Sequence, residues 1–226
     1  MELSDRLERY YTDTYGEEGY TWDSKLARYR DKKTGRLLSR KIILALTKGR
    51  IRSAQADMDQ SITDLINGDL SLRDWHRDNA ERLKTLGVQG AILGRGGKDR
   101  TQVEDYLEVG RELKDNQYPR LRQFAKDLRD GKLSKREAKA RMKMYAGSFR
   151  IHFSRAQKSA KREAGYKFGQ RFLGACSPHC AECVAYAARG VVPAKDVVPI
   201  ATRCSCLSNC CCSIRWYRSR EEANSS

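Results

Sequence analysis

Eight cysteines fall within one 37-residue window, Cys176 to Cys212, and none precedes it. Cys180 and Cys183 are separated by two residues, Cys206 and Cys210 by three, and Cys210 and Cys212 by one. Thiolates at the first two spacings can share a tight knuckle around a tetrahedral ion, with the second pair brought in from elsewhere. Cys180-x2-Cys183 is one such pair, and Cys206-x3-Cys210 or Cys210-x-Cys212 can supply the other. The 22 residues between Cys183 and Cys206 make a loop of ordinary length for a zinc ribbon. A structural Zn²⁺ is therefore expected, with ligands drawn from Cys180, Cys183, Cys206, Cys210 and Cys212. Cys176, Cys204 and Cys211 are then spare thiols. Eight cysteines exceed one tetrahedral site, so a second metal or a cluster sharing thiolates stays open. So does an iron–sulfur cluster, which four thiolates also serve. Buried free cysteines and disulfides are the bland alternatives, although adjacent Cys210-Cys211-Cys212 makes simple pairing awkward.

Nothing around this cluster reads as catalytic machinery. Pro178-His179-Cys180-Ala181-Glu182-Cys183 has the P-x-C-x-x-C look of zinc deaminases, but no H-x-E precedes it. Glu182 sits between two ligands, the wrong place for a general base, and His179 reads as a neighbour of the site. An all-cysteine site is closed, and its metal holds a small fold together. His76 and His152 lie on helical patterns far along the chain, without a partner that suggests catalysis. "GRGG" at 94–97 lacks the trailing GK[ST] of a phosphate loop. The reading is of a chain that is not an enzyme and takes no small-molecule substrate.

The elements that must position the cysteines are mostly helical. Of 226 residues, 39% are apolar and 33% charged, which suits exposed helices around a thin core. No apolar run approaches a membrane span. "MELSDRLERYY" is polar and charged, unlike a secretory signal, so a reducing compartment is expected, where clustered cysteines favour metal over disulfides. After "GRLLSRK", Ile51, Ala54, Met58, Ile62 and Leu65 recur at steps of three and four. Ser71 is a helix cap for Leu72, Trp75, Leu83 and Leu86. Thr101 with Glu104 and Ser134 with Glu137 have capping-box spacing. Pro119 marks a junction, and Leu121, Phe124, Ala125 and Leu128 form a short helix ended by Gly131. One long helix is expected from Ser134 to Gly165, along Ala138, Met142, Tyr145, Phe149, Phe153 and Ala156. "GVVPAKDVVPI" (190–200) and "CSIRWYR" (212–218) read as short strands.

The formal net charge is +16, and residues 119–172 hold 17 Lys/Arg against four acids. Solvated faces usually interleave both signs. A segment so nearly single-signed points to an anionic partner. The expected contact residues are Lys135, Lys139, Lys143 and Arg150, continued by Arg155, Lys158, Lys161 and Arg162.

The stretch "FGQRFLGACSPHCAECVAYAARGVVPAKDVVPIATRCSCLSNCCCSIRWY" resembles the C-terminal domain of phage head-morphogenesis proteins, the minor head proteins of the phage Mu F-like family. The shared pattern is a helix, then Cys180-x-x-Cys183, Ala187 to Gly190 with Pro193, and Val197-Val198-Pro199. Cys210 and Cys212 follow, before Ile214 and Trp216. Upstream, "LSLRDWHRDN", "LGRGGKDR" and "LKDNQYPRLRQFAKDLRDGKLSKREAKARMKMYAGSFR" resemble prophage relatives, so the likeness runs over about residues 30–217. The family's Pro-x-His-Pro-x-Cys approach is replaced here by Ile200-Ala-Thr-Arg-Cys-Ser-Cys206, which leaves Cys204, Cys206 or Cys210 to stand in for the lost histidine; Cys206 is favoured because it keeps Cys210-x-Cys212 at the end. The resemblance implies a minor structural protein of the virion that binds phage portal or capsid protein and, non-specifically, DNA. A zinc-ribbon regulator of nucleic acid is the competing reading. The expected fold is α+β: a polar segment (1–35), a helical region (36–172), a small zinc-bound α+β domain (173–218) and a flexible tail (219–226).

Overall fold

The protein is described from a computed structural model, over residues 19–175, 178–206 and 210–225. Helices dominate the first three quarters. α1 (Arg40–Asn67) and α2 (Leu72–Arg95) start where Ser39 and Ser71 turn their hydroxyls onto the first free backbone N–H groups. α3 (Val103–Glu112) runs through a π-helical turn, Leu113–Gln117, directly into α4 (Tyr118–Arg129). Pro119 therefore marks no break: it occupies the first turn of α4, where a missing N–H costs little. The cap of α3 falls one residue later than its sequence signature, on Gln102 with Asp105 closing the box.

The long helix expected from Ser134 to Gly165 is two helices. α5 (Lys135–Tyr145) carries the Ser134–Glu137 capping box, and α6 (Ser148–Glu163) begins after Ala146-Gly147. The break lets both helices bury the same apolar series. Tyr145, Ala146 and Phe149 all join the core with Trp75, Leu121 and Phe124. Trp75 meets Phe124 edge-on at 5.3 Å between ring centroids, and Tyr145 stacks on Phe124 at 6.1 Å.

α2 and α6 form the tightest helix pair, and three glycines on one face of α2 allow it. Side chains at Gly90 and Gly94 would project onto the α6 backbone, at the carbonyl oxygens of Phe149 and Phe153. Gly87 leaves the notch that His152 and Val109 fill.

Two small sheets flank the helices. β1 (Tyr20–Asp23) and β2 (Arg28–Asp31) form an antiparallel hairpin within the stretch read as a polar segment. It docks on the end of α2: Tyr29 Oη donates to the Leu93 carbonyl at 3.0 Å, and Trp22 covers Gly96, a left-handed residue with no Cβ to obstruct it. The second sheet has β3 (Phe168–Phe172) at its centre, with β4 (Val191–Pro193) and β5 (Ser213–Tyr217) antiparallel on either side. The fold is thus α+β. The C-terminal sheet begins at Phe168, upstream of the expected boundary at 173. Its central strand lies where a helix was expected ahead of Cys180. The residues read as a flexible tail contain a short capped helix, α8 (Arg220–Asn224).

Candidate metal centre

Three segments deliver cysteines to one cluster. Cys180 caps the N-terminus of α7 (Ala181–Ala188), and Cys183 follows one turn later, fully buried. The segment after Ala201 brings Cys204 and Cys206, and the approach to β5 brings Cys210 and Cys212. Ile151 of α6 and Ala201 pack beneath them. Ala201 sits in the left-handed region at φ 63°, and this turn, with Thr202 Oγ1 donating to the Pro199 carbonyl, bends the chain toward Cys204.

The sulfur atoms are close together. Cys206 Sγ lies 3.4 Å from those of Cys180 and Cys204 and 3.6 Å from that of Cys183. Cys183 Sγ lies 3.6 Å from Cys210 Sγ. These are non-bonded separations, well beyond the ~2.05 Å of a disulfide, and all six cysteines are free. Such a set could hold a metal ion.

The thiols share protons unequally. Hydrogen bonding to the Cys204 thiol draws Cys210 down to about 4. Burial works to raise Cys180, but hydrogen bonds from Cys183 and Cys206 outweigh it and bring it to about 7. Burial pushes Cys206 up to about 11 and raises Cys183 and Cys212. Cys204 is raised first by its hydrogen bond with Cys210 and then by burial. With protons alone to balance the charge, these thiols cannot all ionise together; a cation among them removes that conflict.

Two arginines that the sequence reading did not connect with the cluster stand beside it. Arg171, on the inward face of β3, is 5% exposed, and its Nη1 donates to Cys183 Sγ at 3.5 Å. Its Nη2 holds the Val198 carbonyl at 2.6 Å, and its guanidinium lies over the Tyr186 ring. Arg150 Nη1 donates to the carbonyl oxygen of Cys210. Glu182 is already engaged, accepting from Ser205 Oγ at 2.9 Å and tying α7 to the following cysteine segment.

All five expected ligands, Cys180, Cys183, Cys206, Cys210 and Cys212, lie in the cluster. Cys204, read as spare, is also part of it, 3.4 Å from Cys206, and Cys204-x-Cys206 repeats the spacing of Cys210-x-Cys212. That repeat was the available signal. Cys211 stays outside the metal-competent groups and is disulfide-bonded, with Sγ against Gly174. Cys176 lies outside the described residues. His179 is not among the clustered groups.

The expected anionic-contact residues do not share one free face. Lys135 and Arg162 are exposed, and Lys139 is half-buried. Lys143 pairs with Asp59 at 3.2 Å, and Arg155 with Glu108 and Glu112 at 3.0 and 2.9 Å. Lys158 Nζ donates to the carbonyls of Lys195 and Val197, both at 2.8 Å, pinning the C-terminal segment to α6. Lys161 is buried, donates to the Leu26 carbonyl at 2.9 Å, and is lowered to about 8 by that burial. Helical spacing alone does not distinguish a side chain facing solvent from one facing a second layer. Arg122 and Lys126 on α4 and Lys135 and Arg136 on α5 are exposed and form no ion pair among the described residues.

His152 is 2% exposed, and neither ring nitrogen has a hydrogen-bond partner among the described residues. Burial, with Arg155 nearby, lowers it to about 3, so it is a neutral packing group. No helix among the described residues is long and apolar enough to cross a membrane. No protein-family model, curated protein or solved structure matches the chain.

Proposed function

We propose that the chain is a minor structural protein of a tailed phage or prophage, acting in head morphogenesis through the portal or capsid, with a structural zinc in its C-terminal domain. The observation that carries this reading is the convergence of C-x-x-C and C-x-C motifs, which resemble those of minor head proteins, into one thiol-only cluster. A tetrahedral zinc with Zn–S of about 2.3 Å has S···S edges of about 3.8 Å. The closest sulfurs here lie 3.4–3.6 Å apart, so only slight spreading would seat the ion. Zinc would join α7, the 204–206 segment and the start of β5, in a domain whose other apolar core is the small cluster of Ala194, Val197 and Trp216. The thiol-only ligand set and the engaged Glu182 favour a holding role over an enzymatic one. The exposed cations of α4 and α5 suit an acidic portal surface or, without sequence preference, packaged DNA.

The test is composition of assembled particles. Cells carrying the gene are induced, heads and proheads are banded on a density gradient, and their proteins are quantified by mass spectrometry. The expected result is a few copies of this chain per head, together with the portal. A chain confined to the unassembled fraction, or bound to one DNA sequence ~10³-fold above others, would replace this reading with the regulator.

A further inference from the structure

The six free thiols outnumber the corners of one tetrahedron, and they are not arranged around a single centre. They form two overlapping groups, Cys180–Cys183–Cys204–Cys206 and Cys183–Cys210–Cys212, with the sulfurs of each group within 4.8 Å of one another. Cys183 belongs to both.

We infer that the cluster binds two thiophilic divalent ions of the zinc class, joined through the shared thiolate of Cys183. This rests on the structural-metal reading above and extends it. Two tetrahedral ions have eight corners, and six sulfurs fill eight corners only if two of them bridge. Cys183 is placed to be the first bridge, with Sγ 3.6 Å from Cys206 in one group and 3.6 Å from Cys210 in the other. Cys204, 3.4 Å from Cys206, belongs only to the first group, so it would have to move toward Cys210 and Cys212 to serve as the second bridge.

Charge supports the same count. Six thiolates and two divalent ions leave a net charge of −2 on the cluster. Two guanidiniums meet it, Arg171 at the Cys183 sulfur and Arg150 at the Cys210 carbonyl. Arg171 thus contacts the proposed bridge itself, and no carboxylate enters either group of ligands.

The two ions would not be equivalent. The first group includes half-buried Cys180 and Cys206, whereas Cys183, Cys210 and Cys212 are all buried. The outer ion therefore exchanges first, and a chelator removes the pair in two phases.

The experiment is native mass spectrometry of the full chain purified under reducing conditions with zinc, then exchanged with ¹¹³Cd for NMR. The expected result is two ions per chain and two thiolate-range cadmium resonances split by mutual coupling through the shared sulfur. Cys212→Ser should reduce the count from two to one, with the far-UV spectrum of the helices unchanged. One ion per chain at saturating metal would overturn the pair but leave the structural-metal reading standing. Two ions with uncoupled resonances would overturn the shared thiolate. No bound ion would overturn both. Cys212→Ser that still holds two ions would overturn the assignment of the inner site.

Discussion

Replacing Gly94 with alanine would set a Cβ 2.4 Å from the Phe153 carbonyl oxygen and 2.8 Å from the Ala156 Cβ, where ordinary contact begins near 3.4 Å. Neither neighbour is the flexible end of a side chain, so α2 and α6 must part by about 1 Å. Alanine's better helix propensity offers about 1 kcal/mol in return. Overpacking a well-filled interface costs about 1–3 kcal/mol. The separation also loosens Leu93 and Phe149, both nearly inaccessible to solvent. The expected net effect is a loss of about 1–2 kcal/mol, or a Tm lower by about 2–8 °C for a chain of this size. Gly49 in α1 and Gly110 in α3 supply the control, because a Cβ there meets nothing within 4 Å. Alanine at either should stabilise by about 0.5–1 kcal/mol. The assay is thermal and urea unfolding of all three variants, followed at 222 nm with metal saturated. Opposite signs are the prediction. A Gly94→Ala protein that gains as much stability as Gly49→Ala would refute the close α2–α6 approach.

Further consequences follow from buried charge and from the exposed cations. Arg95 binds Asp105 at 2.5 Å with both side chains under 10% exposed, so Arg95→Leu should cost about 3 kcal/mol by leaving the buried carboxylate without its cation, held only by the Gln102 N–H. Adding Asp105→Asn should restore part of that loss, and a double variant no more stable in urea than the single would contradict the pairing. His152 resists protonation down to about 3 in the fold, against 6.5 ordinarily. The unfolded chain therefore takes up a proton below 6.5 that the fold refuses, and stability falls as pH drops through that window. Between pH 6.5 and 5 the loss should be about 2 kcal/mol at this site, absent in His152→Leu; parallel stability–pH curves for the two proteins would refute it. On the proposed DNA contact, Arg122→Glu with Lys126→Glu should weaken binding to any duplex DNA at least tenfold and reduce the salt slope by about 2, read by fluorescence anisotropy. An unchanged slope would remove α4 from the interface.

The helices were legible where apolar spacing and caps agreed, as at Ser71 with Trp75 and Leu83, or at Ser134 with Glu137. The division between α5 and α6 was hidden because Tyr145, Phe149 and Phe153 continue one helical rhythm through Ala146-Gly147. A turn that redirects the chain without changing which residues are buried leaves no mark on periodicity. β1, β2 and β3 were missed for a related reason. They are short and hold Arg, Asp, Gln and Gly, and their pairing is set by partners elsewhere: Gly169 lies opposite both Val192 and Trp216. The cysteine cluster was readable because ligand spacing is local chemistry. The roles of Arg171 and Arg150 were not, since each reaches the cluster from an element distant in sequence. Half of the expected cationic face is turned inward for the same reason: Arg150, Arg155, Lys158 and Lys161 satisfy carbonyls and carboxylates of a second layer.

The central claim is that metal holds the C-terminal domain together, and metal content with thiol titration tests it most directly. Full-length protein, purified under reducing conditions, is assayed by elemental mass spectrometry and by free-thiol titration before and after chelation. The account predicts bound zinc, with at least four thiols appearing only when the chelator removes it and the 166–217 region becoming protease-sensitive at the same moment. Protein that carries no metal, titrates its clustered thiols freely and keeps the same proteolysis pattern in chelator would contradict it.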